Sequence, residues 1–328
     1  MSQEIESKLE KIPIVNWIVG LMKSLKLPGF EGLSIYDLME MYALGIVKGA
    51  LSTRASSISF SLFLALFPLL IFLVTLIPFI IPYVSVGNSN FDTEFLIFLE
   101  SFLPRATGDY FSEIYLQISA QERGDVLSSA IAFITSIFLM ANGVNAIFVG
   151  FENSYHVNLN RSIFKQYVYA LMVGLMLSVL LLLGAVIFVY FEAYVLIGLH
   201  DITHRGMELE VDKSEFILVQ WGKFLFLGLL AYFITAILYY FGTKEGRQAR
   251  FFSAGALMTT LLFILTSYLF GVYVEKFARY NELYGALGGL LILLVFIWLN
   301  SNILLLGFEL NASLNSLRKQ YEKHDGKE

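Results

Sequence analysis

The sequence predicts an all-α, polytopic membrane protein with six transmembrane helices and additional amphipathic helices at the membrane interface. Of its 328 residues, 57% are hydrophobic and 15% are charged, whereas a soluble domain carries about 25% charge. Six apolar stretches each reach the roughly 20 residues that a helix needs to cross a bilayer. Cysteine is absent, so disulfides and thiolate metal sites are excluded.

Residues 1–55 precede the first apolar stretch and contain no span of their own. Their mixture of apolar and charged positions predicts amphipathic helices at the cytoplasmic interface. A soluble helical hairpin packed under the bundle is an equal alternative. Ser34 followed by Asp37 is typical of a helix N-cap with an acid in the first turn, so a helix is predicted over 35–50.

The first span is predicted over 56–81. Pro68 lies near its middle, where a proline removes one backbone donor and tends to kink a helix. Pro78 and Pro82 are expected to end it. The connection 83–125 follows, with phenylalanines at helical spacing among acids, which predicts a short amphipathic helix on the outer leaflet or across the end of the bundle. A second such helix is predicted over 109–118.

The other five spans are predicted over 126–150, 167–199, 216–241, 251–274 and 285–308, and residues 313–328 form a polar tail. Basic residues set the orientation, because they concentrate on the cytoplasmic side. Fifteen lie in the two terminal segments and in the loops after the second and fourth spans, and six lie in the other three loops. Both termini are therefore expected in the cytoplasm, with all six spans crossing the membrane in one membrane domain over 56–312.

The last span carries polar and small residues that lipid contact does not require. On a helix of 3.6 residues per turn, one stripe holds Gly285, Gly289, Asn300, Gly307 and Asn311. Asn302 and Glu309 share a different face. Such residues either let helices pack closely or line a functional polar cavity, and both readings remain open.

Polar residues inside the spans form two groups once the topology is imposed. The group toward the cytoplasm consists of Arg54, Ser57, Asn142, Asn145, Glu152, Asn300, Asn302 and Glu309. Asn142 or Asn145 is expected to face Asn300 or Asn302. The outer group includes Glu192 and Lys223, which are predicted to form a buried ion pair, because each charge alone is costly in hydrocarbon. The alternatives are that Lys223 extends to the headgroups or has another partner.

No motif indicates an enzyme. His200 and His204 have helical ligand spacing around Asp201, but no known metal-site signature surrounds them, and we expect solvated loop histidines. No metal, cofactor or nucleic-acid partner is predicted, since the net charge is a mild −5 and no phosphate-binding loop is present. The protein is therefore not expected to cleave RNA.

Three segments carry a resemblance to a known family: RASSISFSLFLALFPLLIFL (54–73), ANGVNAIFVGFENSY (141–155) and YGALGGLLILLVFIWLNSNILLLGFELNA (284–312). They resemble the YihY/BrkB family of bacterial inner-membrane proteins over roughly residues 35–315. Phe308 departs from the small residue that the family usually has before the C-terminal glutamate. The resemblance implies the fold and the location, and some members carry a ribonuclease name.

Three functions are compatible with this sequence. The favoured one is a transporter or translocator of a lipid-like or amphiphilic substrate, whose partners are that substrate and the membrane lipids. The two offset polar groups within one bundle support it. The alternatives are a non-catalytic membrane scaffold or envelope assembly factor and, disfavoured, a membrane-bound hydrolase or ribonuclease.

Overall fold

A computed structural model of the chain describes residues 13–25, 34–48, 50–84, 91–102, 126–155, 157, 161–204, 213–246, 250–277 and 287–324. The regular elements among these residues are nine helices, which confirms the predicted all-α fold. They are α1 (Pro13–Ser24), α2 (Ile35–Lys48), α3 (Leu51–Val84), α4 (Phe91–Glu100), α5 (Val126–Glu152), α6 (Ile163–His204), α7 (Lys213–Gly242), α8 (Ala254–Phe277) and α9 (Leu287–His324).

Six of these helices are long and apolar enough to cross a membrane: α3, α5, α6, α7, α8 and α9. This confirms the six predicted spans. The helix α3 continues through Pro78 and Pro82 to Val84, although its stretch that is apolar enough to cross a membrane ends at Leu76. Each proline removes a single backbone donor, and membrane helices tolerate this loss when neighbouring groups satisfy the freed carbonyls. α9 likewise continues past the predicted end of the sixth span to His324.

The capping signal at the start of α2 is confirmed. The Ser34 hydroxyl accepts a hydrogen bond from the Asp37 amide at 3.2 Å, and the Asp37 carboxylate accepts bonds from the Ser34 amide at 2.9 Å and hydroxyl at 2.7 Å. This reciprocal pair satisfies donors that the first helical turn leaves open. The cap starts α2 at the position where it packs against α1, α3 and α9.

The six long helices form a closed ring. Each of α3, α5, α6, α7 and α8 packs against the next long helix in the chain, and α9 returns to pack against α3. The short helix α4 lies against α6 and α3, and its Phe95 and Phe98 are fully buried. Its aromatic face therefore packs against the bundle. The helix predicted over 109–118 lies outside the described residues.

The apolar core is continuous at one end of the ring and divided at the other. We call the end that contains Arg54 and Glu309 the polar end, and the opposite end the far end. At the polar end, one cluster joins all six long helices, through residues such as Ile58, Phe148, Ala170, Tyr239, Ala256 and Leu305. At the far end, α3 to α7 share one cluster, while α8 and α9 form a separate one from Phe270, Val274, Ile292 and Phe296.

Candidate functional site

A cavity of about 1220 Å³ lies inside the ring of helices. All six long helices and α4 contribute to its lining, which is mainly aliphatic and aromatic. Small-molecule sites usually enclose about 300–1,000 Å³, so this space is large enough for a ligand beyond that size. It lies where the core of α8 and α9 is separate from that of the other helices. The division of the core at the far end is thus the structural origin of the cavity.

The floor of the cavity, which is its boundary toward the polar end, carries four polar side chains. They are Ser178, Thr235, Asn300 and Ser301. Below them, the Leu304 carbonyl accepts a 2.7 Å hydrogen bond from the buried Tyr239 hydroxyl. The floor is therefore neutral and polar, and it rests on a hydrogen-bonded layer at the polar end.

The centre of that layer is a buried ion pair. The Arg54 guanidinium donates to Glu309 Oε1 at 2.5 Å and to the Gly150 carbonyl at 2.8 Å. The second carboxylate oxygen of Glu309 accepts a 2.8 Å bond from the Ser154 hydroxyl. Arg54 is 8% exposed and Glu309 is fully buried. Among the described residues, the Arg54 Nε is buried without a hydrogen-bond partner, while the other contacts tie α3 to α9 and to the end of α5.

A second buried carboxylate, that of Glu152, lies at the end of α5. Glu152 faces the loop after α5, where both of its carboxylate oxygens accept from the Arg161 amide at 3.4 Å. The Arg161 guanidinium donates to the Phe241 and Gly242 carbonyls at the end of α7, at 2.8 and 3.1 Å. It also lies 4.5 Å from the centre of the Tyr169 ring. Glu152 and Arg161 therefore connect α5 to the last carbonyls of α7 by way of the loop.

The stripe on α9 has two roles in different parts of the helix. Toward the polar end, Asn311 accepts a 2.8 Å bond from the Gly255 amide and donates to the Ser253 hydroxyl at 2.8 Å, so it caps the start of α8. A side chain at Gly307 would overlap Thr259 and the Gly255 carbonyl, so close packing needs glycine there. One stripe position, Asn300, instead lines the cavity.

Phe308 occupies the position where the resemblance implies a small residue. Its ring is buried and stacks on Phe151, with centroids 4.1 Å apart and planes 4° apart. Tyr239 packs edge-on against both rings. These three rings fill the centre of the polar end, where α5, α7 and α9 converge.

The interfacial helix α2 also contributes to the polar end. Burial of the Tyr42 phenol, with the negative charge of Glu309 as the second cause, raises the pKa of Tyr42 to about 12. The phenol is therefore protonated at physiological pH. A neutral group with hydrogen-bonding capacity thus lies within electrostatic reach of the buried carboxylate, on a helix that packs against α9.

The cytoplasmic-side group predicted from the sequence is smaller in the structure. Arg54 and Glu309 meet, with Glu152 nearby, whereas the side chains of Ser57 and Asn142 are exposed. Residue spacing sets depth along a helix but does not fix which neighbour each face meets, which explains the difference.

The asparagines of the second and sixth spans are not hydrogen-bonded to one another in the described part of the chain. The Asn300 amide donates at 2.9 Å to the Phe296 carbonyl, and that of Asn302 donates at 2.7 Å to the Trp298 carbonyl, each within its own helix. Asn145 is half-buried. Membrane helices often satisfy polar side chains in this way, by bonding to the preceding turn.

The remaining predicted site residues are placed as follows. Pro68 and Gly289 are buried, and Gly285 lies outside the described residues. The Lys223 ammonium lies 5.4 Å from the centre of the Phe188 ring on α6. The side chain of Glu192 lies outside the described ones, so the ion pair with Lys223 stays a prediction.

Sequence reasoning missed several members of the polar layer, namely Ser154, Arg161, Tyr239, Ser253 and Thr259. Serines, threonines and a tyrosine give no signal in an apolar sequence, and Arg161 was counted as a loop cation. Within the described ranges, no three His, Cys, Asp or Glu side chains lie close enough to share a metal ion.

Comparison with known proteins gives a consistent family. The family described as "Virulence factor BrkB" matches residues 45–328. A ribonuclease-like protein of Bacillus subtilis, YfkH, is 26% identical over 269 residues, which cover 81% of this chain and 91% of that protein. A UPF0761 membrane protein of Coxiella burnetii is 26% identical over 259 residues, 77% of this chain and 84% of the relative. No solved structure matches.

Proposed function

This chain belongs to the virulence factor BrkB family, and we propose that it is a transporter that moves a lipid-like amphiphile through the bacterial cytoplasmic membrane. The observation that carries the proposal is the cavity of about 1220 Å³, lined by all six long helices and mainly apolar. A scaffold gains nothing from such a space, because an unfilled cavity forfeits packing energy. A translocator of amphiphiles requires one.

The asymmetry of the bundle suggests how transport is controlled. One continuous core and the Arg54–Glu309 pair close the polar end, while the core is divided at the far end. In this proposal the cavity is open to the substrate from the far end, and the ion pair must separate before the substrate can pass the polar end. Two discrete arrangements of α3 against α9 supply the alternating access.

The proposed orientation places the polar end at the cytoplasm. Fifteen basic residues lie in the two terminal segments and in the connections after α5 and α7, which belong to that end, against six in the other three loops. The substrate would therefore enter from the outer leaflet or leave toward it, and both termini would be cytoplasmic.

The test is lipid movement in vesicles that contain the purified protein. Gly228 and Gly271 both line the cavity, and a Cβ there meets only ordinary contact or open space. We expect Gly228→Leu and Gly271→Leu to fill the cavity and slow the movement of fluorescent lipid between leaflets at least fivefold. Gly20→Leu is the matched control, since Gly20 has open space around it and does not line the cavity.

Unchanged rates in the filled variants would overturn the proposal, as would a wild-type rate equal to that of protein-free vesicles. Either result would favour the non-catalytic scaffold. The ribonuclease-like name belongs to the relative from Bacillus subtilis, and no residue cluster described above supports transferring that activity to this chain.

A further inference from the structure

The seam between α7 and α8 is closed at the polar end and in the middle of the bundle. At the polar end, the Tyr239 and Thr259 hydroxyls share a 2.5 Å hydrogen bond across it. In the middle, a Cβ on Gly228 would lie 3.5 Å from the Ile264 Cδ1 atom, which is ordinary van der Waals contact. The two helices are therefore neighbours from the polar end as far as Gly228 and Ile264.

Beyond this point, toward the far end, neither helix covers the other. Phe224 on α7 and Tyr268 on α8 both line the cavity, yet they are 49% and 69% exposed. Gly271 lies three residues after Tyr268 and also lines the cavity, and a Cβ there would meet no atom within 4 Å. We call this part of the seam, bordered by Phe224, Tyr268 and Gly271, the lateral gap.

The cavity alone does not explain the exposure of these side chains. Ala65 on α3 and Leu293 and Phe296 on α9 line the same cavity, and they are between 6% and 7% exposed. Facing the cavity is thus compatible with nearly complete burial. The exposure of Phe224 and Tyr268 shows that the wall of the cavity is interrupted between α7 and α8.

The lateral gap lies at a depth where hydrocarbon surrounds the protein. Phe224 and Tyr268 belong to the stretches of α7 and α8 that are apolar enough to cross a membrane. Leu225 and Leu269, the residues that follow them, are exposed and do not line the cavity, so they belong to the outer surface of the bundle. The medium outside the gap is therefore lipid rather than water.

We infer that the substrate enters the cavity sideways from the bilayer, by passing a hydrocarbon chain through the lateral gap between Phe224 and Tyr268. A chain that takes this route stays in an apolar medium throughout, whereas entry from water would expose its apolar surface. The substrate is then a lipid that resides in the bilayer, not an amphiphile captured from solution. This inference rests on the proposed function, because it names the source and the route of the substrate for the same cavity.

The alternative entrance lies beside α4 at the far end. Ile97 and Ser101 line the cavity there from exposed positions, and the half-buried Glu100 lies between them. A substrate that arrives from water would pass this polar border. The two routes can therefore be distinguished by obstructing one border at a time.

The test uses phosphatidylcholine with a photoreactive diazirine at the end of one acyl chain, in nanodiscs that contain the protein. The chain has no native cysteine, so Phe224→Cys, Tyr268→Cys and Ile97→Cys can each be coupled to pyrene maleimide in detergent before reconstitution. We expect the wild type to be crosslinked at Val144 and Leu177, on the cavity wall that α5 and α6 form. Pyrene at position 224 or 268 should reduce this crosslinking roughly tenfold, a change of about 1.4 kcal/mol in the free energy of chain entry. Pyrene at position 97 should leave it unchanged.

Leu225→Cys and Leu269→Cys are the matched controls, since each lies next to a border residue and is exposed without lining the cavity. Pyrene at these positions should leave crosslinking of the cavity wall unchanged. Each cysteine variant without pyrene should crosslink like the wild type, which separates obstruction of the gap from damage to the fold.

The outcomes separate this inference from the proposed function. If pyrene at position 97 reduces the crosslinking and pyrene at positions 224 and 268 does not, the substrate enters from water and the lateral entrance is overturned. Wild-type crosslinks that are confined to the outer surface overturn it as well. Neither result affects the transporter proposal, which depends on lipid movement and its sensitivity to Gly228→Leu. Conversely, crosslinking through the gap without any lipid movement would support the entrance and overturn transport.

Discussion

At the scale of single residues, the Arg54–Glu309 pair is the most consequential contact in the protein. Both charged groups are removed from water. The cost of this desolvation is offset by their mutual attraction and by hydrogen bonds with the Gly150 carbonyl and the Ser154 hydroxyl. Such pairs add little net stability compared with a well-packed apolar pair, but losing one partner leaves an uncompensated charge. The pair therefore gives one arrangement of α3, α5 and α9 a much lower free energy than arrangements in which the two charges are separated.

We predict that Arg54→Met or Glu309→Met alone destabilises the protein by about 3–5 kcal/mol, because each leaves a buried polar partner unpaired. The double variant Arg54→Met/Glu309→Met should cost clearly less than the sum of the single changes. Thermal unfolding in detergent micelles measures these effects.

The matched control for this series is Lys165→Met, which removes an exposed cation from the same end of the bundle. It should change the unfolding temperature little. Additive effects of Arg54→Met and Glu309→Met would show that the two side chains do not interact in the membrane protein.

The sequence could identify Arg54 and Glu309 as charges that are costly to place in a membrane. Such charges are rare in apolar stretches and are usually paired or functional. It could not identify Ser154 or Tyr239 as their neighbours. Hydroxyl groups are common in membrane helices and satisfy themselves locally, so their participation depends on helix rotation, which a single sequence does not specify.

At the scale of helices, α8 and α9 meet at a point where their backbones touch. A Cβ on Gly307 would overlap Thr259 and the Gly255 carbonyl, and one on Gly255 would overlap the Gly307 carbonyl. Small residues let membrane helices approach in this way. The stripe of small and polar residues on the last span predicted that Gly307 allows close helix packing. The structure identifies α8 as the helix that packs there.

We predict that Gly307→Ala forces α8 and α9 apart and lowers the unfolding temperature by several degrees, because rigid backbone atoms cannot yield to the new methyl group. Gly271→Ala is the matched control on α8, where the methyl group enters open space. If both variants melt like the wild type, the backbones are not in contact at Gly307.

The contact between α6 and α7 supports the predicted pair of Glu192 and Lys223 without testing it. The Lys223 ammonium lies over Phe188, which is one turn before Glu192 on the same face of α6. The ion pair itself stays a prediction, because the Glu192 side chain lies outside the described ones.

We expect Glu192→Lys and Lys223→Glu each to lower the yield of folded protein, because each places two like charges together in a membrane. The double swap should restore much of the loss. The measurement is the folded fraction by fluorescence-detected size exclusion. If the double variant loses as much folded protein as the two single variants together, extension of Lys223 to the headgroups is the better explanation.

At the scale of the whole molecule, the sequence predicted six spans because hydropathy reports directly on transfer into lipid. The closed ring and its cavity could not be predicted in this way. Leu293, which faces the cavity, and Leu291, which is exposed on the outside of α9, have the same transfer free energy. Only the way α8 and α9 separate from the other helices at the far end distinguishes them.

Orientation is the property of the whole molecule that decides which side of the membrane the proposed substrate cavity faces. Fifteen basic residues lie in the terminal segments and in the connections after α5 and α7, and the positive-inside rule predicts a cytoplasmic position for the end of the bundle that holds the polar layer. Reporters fused after Asn158 and Gly246 should then be active in the cytoplasm, and those after Asn88, His204 and Asn281 should be active outside. A reversed pattern would place the closed end outside, so that the cavity would open toward the cytoplasm and the protein would load its lipid from the inner leaflet.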